Sequence, residues 1–475
     1  MFNVKHNECV GFESKWKVKK VSANSASQTT EFSVSEKGSD TVERKSQEAQ
    51  TETTQKPSEE VEMSKLANWL NKIYPNVKEQ IDKSNSSRAF QNYRTSNTSV
   101  DSLCKLVQSF SIAGKNADDG DKAIPIINCL DWNNSGKLLA VSHSFKHRTW
   151  CHHTGTVSIY SFARDKTLSE SFMKRLSTES CVTTLKFHSN YSNILAAGTF
   201  TGHIYIWNIG NDVDALICNT VAHDEYITQI SWVHDMDSAC LASSSTDSLL
   251  KMWTFNVADN LVKLKTIFKI KTPIFGKIDD TMEVPKSLID KGDLGIVCFD
   301  FSLHVPDMFV VALEGGLIAR CSLLGLTKIK ANSGDVSHYY DPVFKYYELH
   351  RGEIVSIKFP LQTKDMFLTS ATDGEIRIYL VHQTEPAQVI FLKSPLNEIS
   401  YVLHEKKLLA ACGQGGFLEV FQLQTGKPIE LTFNVKITKR NLTSMAVNGS
   451  ETNYVVVGNN NGEIQLWDVP WQNIE

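Results

Sequence analysis

The feature that most constrains this chain is a motif that returns through its last three-quarters. A short apolar strand enters a tight polar turn, and a second strand leaves the turn and ends on an aromatic. It reads Ala197-Gly-Thr-Phe-Thr-Gly-His-Ile-Tyr-Ile-Trp207 and Ser243-Ser-Ser-Thr-Asp-Ser-Leu-Leu-Lys-Met-Trp253. It returns as Ser370-Ala-Thr-Asp-Gly-Glu-Ile-Arg-Ile-Tyr379 and Gly458-Asn-Asn-Asn-Gly-Glu-Ile-Gln-Leu-Trp467. One such unit is too small to bury its own faces. Units set around an axis bury one another, which is the logic of a β-propeller. A propeller is chiefly a surface for partners, so the pattern points to binding before catalysis.

The repeats divide the region from 123 to 475 into seven blades of an all-β ring. Blade one carries Ile126–Trp132, Leu138–Ser142 and Thr156–Ser161; blade two runs Cys181–Ile209 and blade three His223–Phe255. Blade four runs Gly295–Leu323, blade five His350–Leu380, blade six Glu398–Leu423 and blade seven Leu442–Val469. Each readable repeat ends on its third strand, so the fourth strand of blade seven is expected from before blade one. Within the span 85–122, Ser87–Arg94 has strand-like aromatics and is the candidate, with a short helix over Thr98–Phe110 behind it. Long connections at Asn256–Leu294 and Gly325–Leu349 are expected as rim loops, where binding features concentrate.

The first part of the chain differs in kind. Residues 1–58 are expected to form a disordered arm. Ser22–Ser58 is rich in Ser, Thr, Gln, Glu and Lys, and cannot bury enough apolar surface to offset its ordering entropy. An amphipathic helix is expected over 59–84, with Val61, Leu66, Trp69, Leu70, Ile73, Val77 and Ile81 on one stripe and Pro75 kinking or splitting it. Such a stripe packs either on the ring or against a partner.

The 475 residues carry a net charge of -4, which supplies no pull toward nucleic acid or acidic lipid. The ten cysteines form no Cys-x-x-Cys pair, consistent with a reducing compartment. The start has no apolar core of a signal peptide and no apolar run is long enough to span a bilayer, so a cytosolic protein without membrane insertion is expected.

No nucleophile, kinase or hydrolase signature is present, and no cofactor is expected. The glycine pairs Gly315-Gly316 and Gly415-Gly416 sit in strand turns without the following helix that a phosphate cradle needs. Cys151-His152-His153, with His143 and His147 nearby, invites a zinc reading. No second ligand pair lies at finger spacing, so a polar hairpin loop and no metal are expected. Blade three aligns His223 with Asp247 and Trp253; blade five aligns His350 with Asp373, with Tyr379 in place of the tryptophan. These residues resemble WD-repeat proteins, in which the His, the turn Asp, a strand hydroxyl and the Trp form a hydrogen-bonded chain within a blade. By that resemblance Ser243 or Ser245, and Ser370 or Thr372, supply the hydroxyls. Thr154, Thr201, Glu314, Gly415 and Asn461 stand at the other turn positions, and those blades are expected to lack the network.

Within the arm, Ser27-Gln28-Thr29 and Ala49-Gln50-Thr51 each place a Gln-Thr pair in an extended stretch that can add a strand to a partner's sheet edge. The pairs resemble the core of motifs read by the small, dimeric hub light chain of dynein, although Ser27 and Ala49 stand where the strongest motif has Thr. The order of arm, helix and ring resembles the dynein intermediate chains, most nearly the shorter type found in the ciliary cytoplasmic dynein. Ser87-Arg-Ala-Phe-Gln-Asn-Tyr93, Leu313-Glu-Gly-Gly-Leu-Ile-Ala-Arg-Cys-Ser-Leu323 and Ser370-Ala-Thr-Asp-Gly374 carry that resemblance. It implies a non-catalytic scaffold for retrograde intraflagellar transport and cilium assembly, placed in the cytoplasm, the cilium and the ciliary base. The ring would grip a heavy-chain tail beside a second intermediate chain. Gln28-Thr29 and Gln50-Thr51 would dock hub light chains, and the stripe Leu66, Trp69, Leu70, Ile73, Val77 and Ile81 a roadblock-type light-chain dimer. The alternative from another class is a WD-repeat substrate receptor of a ubiquitin ligase, which would need no arm.

Overall fold

The computed structural model describes residues 63–86, 103–112 and 125–471, the last span without 146, 148–149, 152, 212–214, 235–238, 257–259, 272–284, 286–287, 289, 291, 330–337, 361–362, 404–407, 434–439 and 451–452. The chain divides into two units, Met1–Ser96 and Asn97–Glu475.

In the first unit one helix, Met63–Ser86, runs without interruption through Pro75. Proline removes one donor from the helical ladder but does not end the helix here. Leu66, Trp69, Leu70, Tyr74 and Val77 are exposed, and Ile73 is half-buried.

The second unit is a ring of seven sheets. Its innermost strands are Ile126–Trp132, Val182–Phe187, Ile227–His234, Ile296–Phe301, Ile354–Lys358, Leu396–Leu403 and Leu442–Val447, and each packs on the next around a closed circuit. The second strands Ile194–Thr199, Met308–Leu313 and Leu408–Gly413 are buried at every position. Both faces of a second strand meet a neighbouring blade, so these strands read as unbroken small and apolar runs rather than as alternating patterns. The fourth strand of blade two, Leu216–Val221, has no such cover and is exposed or half-buried throughout.

All seven innermost strands carry a register shift at the corresponding place near their start, between Ile127 and Cys129, Val182 and Thr184, Ile227 and Gln229, Ile296 and Cys298, Ile354 and Ser356, Leu396 and Glu398, and Leu442 and Ser444, and blade six has a second between Tyr401 and Leu403. A bulge re-aims the skipped side chain. At four seams that side chain bonds a carbonyl on the next blade: Asn128 Nδ2 to Val182 (2.9 Å), Thr183 Oγ1 to Ile227 (2.5 Å), Asn397 Nδ2 to Leu442 (2.6 Å) and Thr443 Oγ1 to Ile127 (2.6 Å). The last joins blade seven to blade one, so the closing seam uses the same device as three others. The skipped residues at Val297 and Val355 are apolar. Gln229 clamps the Phe299 backbone instead, donating to its carbonyl and accepting from its N–H, both at 3.0 Å. Asp300 accepts the Phe359 N–H at 2.7 Å.

The structure corrects the expected closure. Leu103–Ser111 is a strand, not the rear of a helix over Thr98–Phe110. It pairs antiparallel with Glu463–Asp468, from Lys105 opposite Asp468 to Ser111 opposite Glu463, and supplies the fourth strand of blade seven. Ser87–Arg94, the expected closing strand, lies outside the described residues. The two long connections are also more ordered than rim loops. Leu261–Lys269 is the fourth strand of blade three, Val343–Tyr347 that of blade four, and Tyr339–Asp341 with Thr327–Ile329 extend blade three to six strands.

Candidate partner surfaces

In blade three the expected residues meet. His223 Nδ1 lies 2.9 Å from Asp247 Oδ2, and its Nε2 lies 2.9 Å from Ser243 Oγ, which also accepts the Trp253 indole N–H at 2.9 Å. Ser243 is therefore the hydroxyl member, while Ser245 Oγ accepts the Asp247 N–H. Burial alone would push the Asp247 carboxyl up, but hydrogen bonds and charge from His223 outweigh it and hold it below the usual range. Blade five repeats the pair, with His350 Nδ1 3.0 Å from Asp373 Oδ2. Its hydroxyl corrects the expectation: Thr369 Oγ1 meets His350 Nε2 at 2.8 Å, while Ser370 Oγ finds no partner and Thr372 accepts the Glu353 N–H. Tyr379 leaves the chain and donates to the Glu348 carbonyl. Blade seven, without the His–Asp pair, builds a substitute. Asn459 donates to Glu463, Gln465 donates to Glu463, and the Trp467 indole donates to Gln465 at 3.2 Å. These buried, satisfied chains hold turns in place and offer no free nucleophile.

The acids of the innermost strands are likewise committed. Asp131 accepts the Phe187 N–H at 2.7 Å and pairs with Lys186 at 2.5 Å, and Glu398 accepts from Met445 N–H and Ser444 Oγ. Burial pushes the Asp300 carboxyl up to about 6 despite Lys358 nearby. Each carboxylate bonds an N–H on the next blade and so staples a seam.

One rim of blades one to three is different. The connection between Leu138–Ser144 and Gly155–Ser161 in blade one brings His147, Cys151 and His153 together, and Cys181, just before the first strand of blade two, completes the group. Their ligating atoms all lie within 4.8 Å of one another. His143, also considered for this cluster, instead meets Thr156 Oγ1 at 3.1 Å, and burial lowers its imidazole to about 4. Burial, and then His153, lower His147, while burial raises the Cys181 thiol to about 12. Cys181 could not be found from spacing, because two further strands of blade one, Gly155–Ser161 and Lys174–Thr178, separate it from Cys151. Aromatic contacts extend the rim: His147 stacks on Phe200 (4.8 Å), which stacks on Tyr226 (5.7 Å). Trp150, beside Cys151, is 76% exposed.

A family profile described as "WD domain, G-beta repeat" matches residues 171–208, within blades one and two. Human "Cytoplasmic dynein 2 intermediate chain 2" is 20% identical over 426 residues, 87% of this chain and 77% of that protein. The mouse protein of the same name is 21% identical over 72% of this chain and 64% of its own length. The "Dynein, 78 kDa intermediate chain, flagellar outer arm" of Chlamydomonas reinhardtii is 24% identical over 65% of this chain and 43% of its own length. These relatives are intermediate chains of more than one dynein. Over most of its length the chain is similar to WD-repeat dynein intermediate chains. That family is non-catalytic, in keeping with carboxylates and histidines that are spent on structure.

On this chain two apolar surfaces stand out. One is the helix face of Leu66, Trp69, Leu70 and Val77, where Trp69 is 57% exposed. Ile81 lies in the same helix. The other is a groove of about 1040 Å³ between the outer edges of blades five and six, lined by Phe391, Phe417, Phe421, Pro428 and Leu431 among others. It exists because the fourth strand of blade six is only Pro428–Ile429, so the outer edge is left low there. Ser27, Gln28, Thr29, Ala49, Gln50 and Thr51 lie outside the described residues. Among the described residues no helix is long and apolar enough to cross a membrane.

Proposed function

We propose that this chain is an intermediate chain of the ciliary cytoplasmic dynein, tying light chains to a heavy-chain tail for retrograde intraflagellar transport. The observation that carries the reading is the alignment over 87% of the chain with a protein named as an intermediate chain of cytoplasmic dynein 2. The ring grips the heavy-chain tail, and the arm and helix gather light chains beside a second intermediate chain. The test is affinity capture of the full chain from ciliated cells with the bound proteins identified by mass spectrometry. Recovery of the ciliary dynein heavy chain with light chains is the expected result. Recovery of a cullin-type ligase without dynein chains would overturn the reading in favour of a ligase receptor.

Two substitutions probe the light-chain sites. Trp69→Asp places a charge on the exposed helix stripe, and loss of such an aromatic anchor costs at least about 2 kcal/mol, or roughly thirtyfold in affinity. Capture of a roadblock-type dimer is expected to fail; unchanged capture would remove the stripe from that role. Gln28→Ala with Gln50→Ala is expected to weaken hub light-chain binding far more than either change alone. A second contact on a dimeric partner is intramolecular and adds roughly 100- to 10,000-fold in avidity. Equal losses in titration calorimetry for single and double variants would count against paired sites.

A further inference from the structure

We infer that His147, Cys151, His153 and Cys181 form a structural zinc site that pins the blade-one rim to the start of blade two. The inference stands on geometry and donor chemistry and is independent of the motor this chain serves. Two thiolates and two imidazoles are a Cys₂His₂ set, and a tetrahedral sulfur and nitrogen set selects zinc among the common ions. Zinc held by nitrogens at about 2.0–2.1 Å requires them about 3.3–3.4 Å apart along a tetrahedral edge. His147 Nε2 and His153 Nδ1 lie 3.4 Å apart, which is long for a hydrogen bond between two imidazoles. The limit of 4.8 Å on every pair leaves about an ångström for the sulfurs, whose edge at a Zn–S distance of about 2.3 Å is about 3.8 Å.

The surroundings support ligation. The Cys181 backbone N–H points at Cys151 Sγ at 3.3 Å, the type of contact that orients a thiolate ligand. His147 is stacked on Phe200, and the His153 ring lies 4.9 Å from that of Phe145 at a tilt of 37°, so each imidazole packs against an aromatic neighbour. Cys181 is buried and the other three are half-buried. Two thiols give up their protons on binding, and two thiolates with one Zn²⁺ and two neutral imidazoles sum to zero charge. That balance suits a half-buried site, where an uncompensated ion would be costly. A Cys151–Cys181 disulfide would also join the two blades, but it would leave both imidazoles without a role and is disfavoured in a reducing compartment.

The test is metal analysis of the full chain, purified under reducing conditions without chelator. About one zinc per chain is expected. Cys181→Ser, and His147→Ala with His153→Ala, are expected to drop the content at least tenfold, while Cys218→Ser on the outer strand of blade two leaves it unchanged. Cobalt exchanged into the unaltered chain is expected to show the visible bands of a tetrahedral site together with thiolate-to-cobalt charge transfer, a readout that does not depend on any variant folding. Absence of stoichiometric zinc and of the cobalt charge-transfer band would overturn the site. So would zinc retained when Cys151 and Cys181 are both serine, or a Cys151–Cys181 disulfide found by mass spectrometry in the reduced preparation.

Discussion

A chain beginning at residue 113 is expected to aggregate or to lose cooperative thermal unfolding, whereas a chain beginning at residue 97 keeps its folded ring. The difference is the strand Leu103–Ser111. It covers the edge of Glu463–Asp468, buries Cys104 completely and packs beside the fully buried Trp467. It also ties blade seven to blade one: Gln108 Nε2 donates to the Leu168 carbonyl at 3.1 Å, and Gln108 Oε1 accepts the Leu168 N–H at 2.8 Å. Ser109 Oγ bonds Glu463, and the Ile112 N–H bonds the Gly462 carbonyl. Removing it exposes a long unpaired strand edge and a large apolar face together. The loss is expected to approach the whole stability of an ordinary domain, about 5–15 kcal/mol. Differential scanning fluorimetry with light scattering checks it. Equal melting midpoints and monomeric behaviour for the two truncations would show that the ring closes without the strand.

Gly458→Ala is a point substitution expected to weaken the ring strongly at its closing seam. A Cβ at Gly458 would fall 2.4 Å from Ile127 Cγ2 and 2.7 Å from Ile127 Cβ, across the contact of blades seven and one. Gly198 stands in the same relation to Ile227 between blades two and three, at 2.6 Å. These positions therefore conserve space for the isoleucine of the following blade rather than a special backbone conformation. Overpacking of this kind costs about 1–3 kcal/mol, and more where strands cannot part. A double-mutant cycle with Ile127→Ala, which removes the clashing Cγ2, checks the mechanism. The combined loss is expected to fall well short of the sum of the two single losses, and additive losses in chemical denaturation would place the strain elsewhere.

The ring, its seven blades and the blade-three network were legible because a propeller writes itself locally. Apolar second strands, turn residues and terminal aromatics recur within about forty residues, and burial by like neighbours demands the same pattern each time. The helix was legible from its stripe, since Leu66, Trp69, Leu70, Ile73 and Val77 recur at helical spacing in a single element. The closing strand was not. Leu103-Cys-Lys-Leu-Val-Gln-Ser-Phe-Ser111 carries apolar residues that fit either period, and the choice fell to the open edge of Glu463–Asp468, more than 350 residues away. Thr369 rather than Ser370 or Thr372 met His350 because strand alternation sets which side chains face inward, and one residue of register reverses that.

Sequence by itself therefore determined the repeat unit, the number of blades and the helix, because each depends on periodicity among near neighbours. Tertiary structure alone decided which strand seals the ring and that Cys181 joins Cys151, His147 and His153. Both are meetings of segments that share no local pattern, arranged by the packing of one blade against the next.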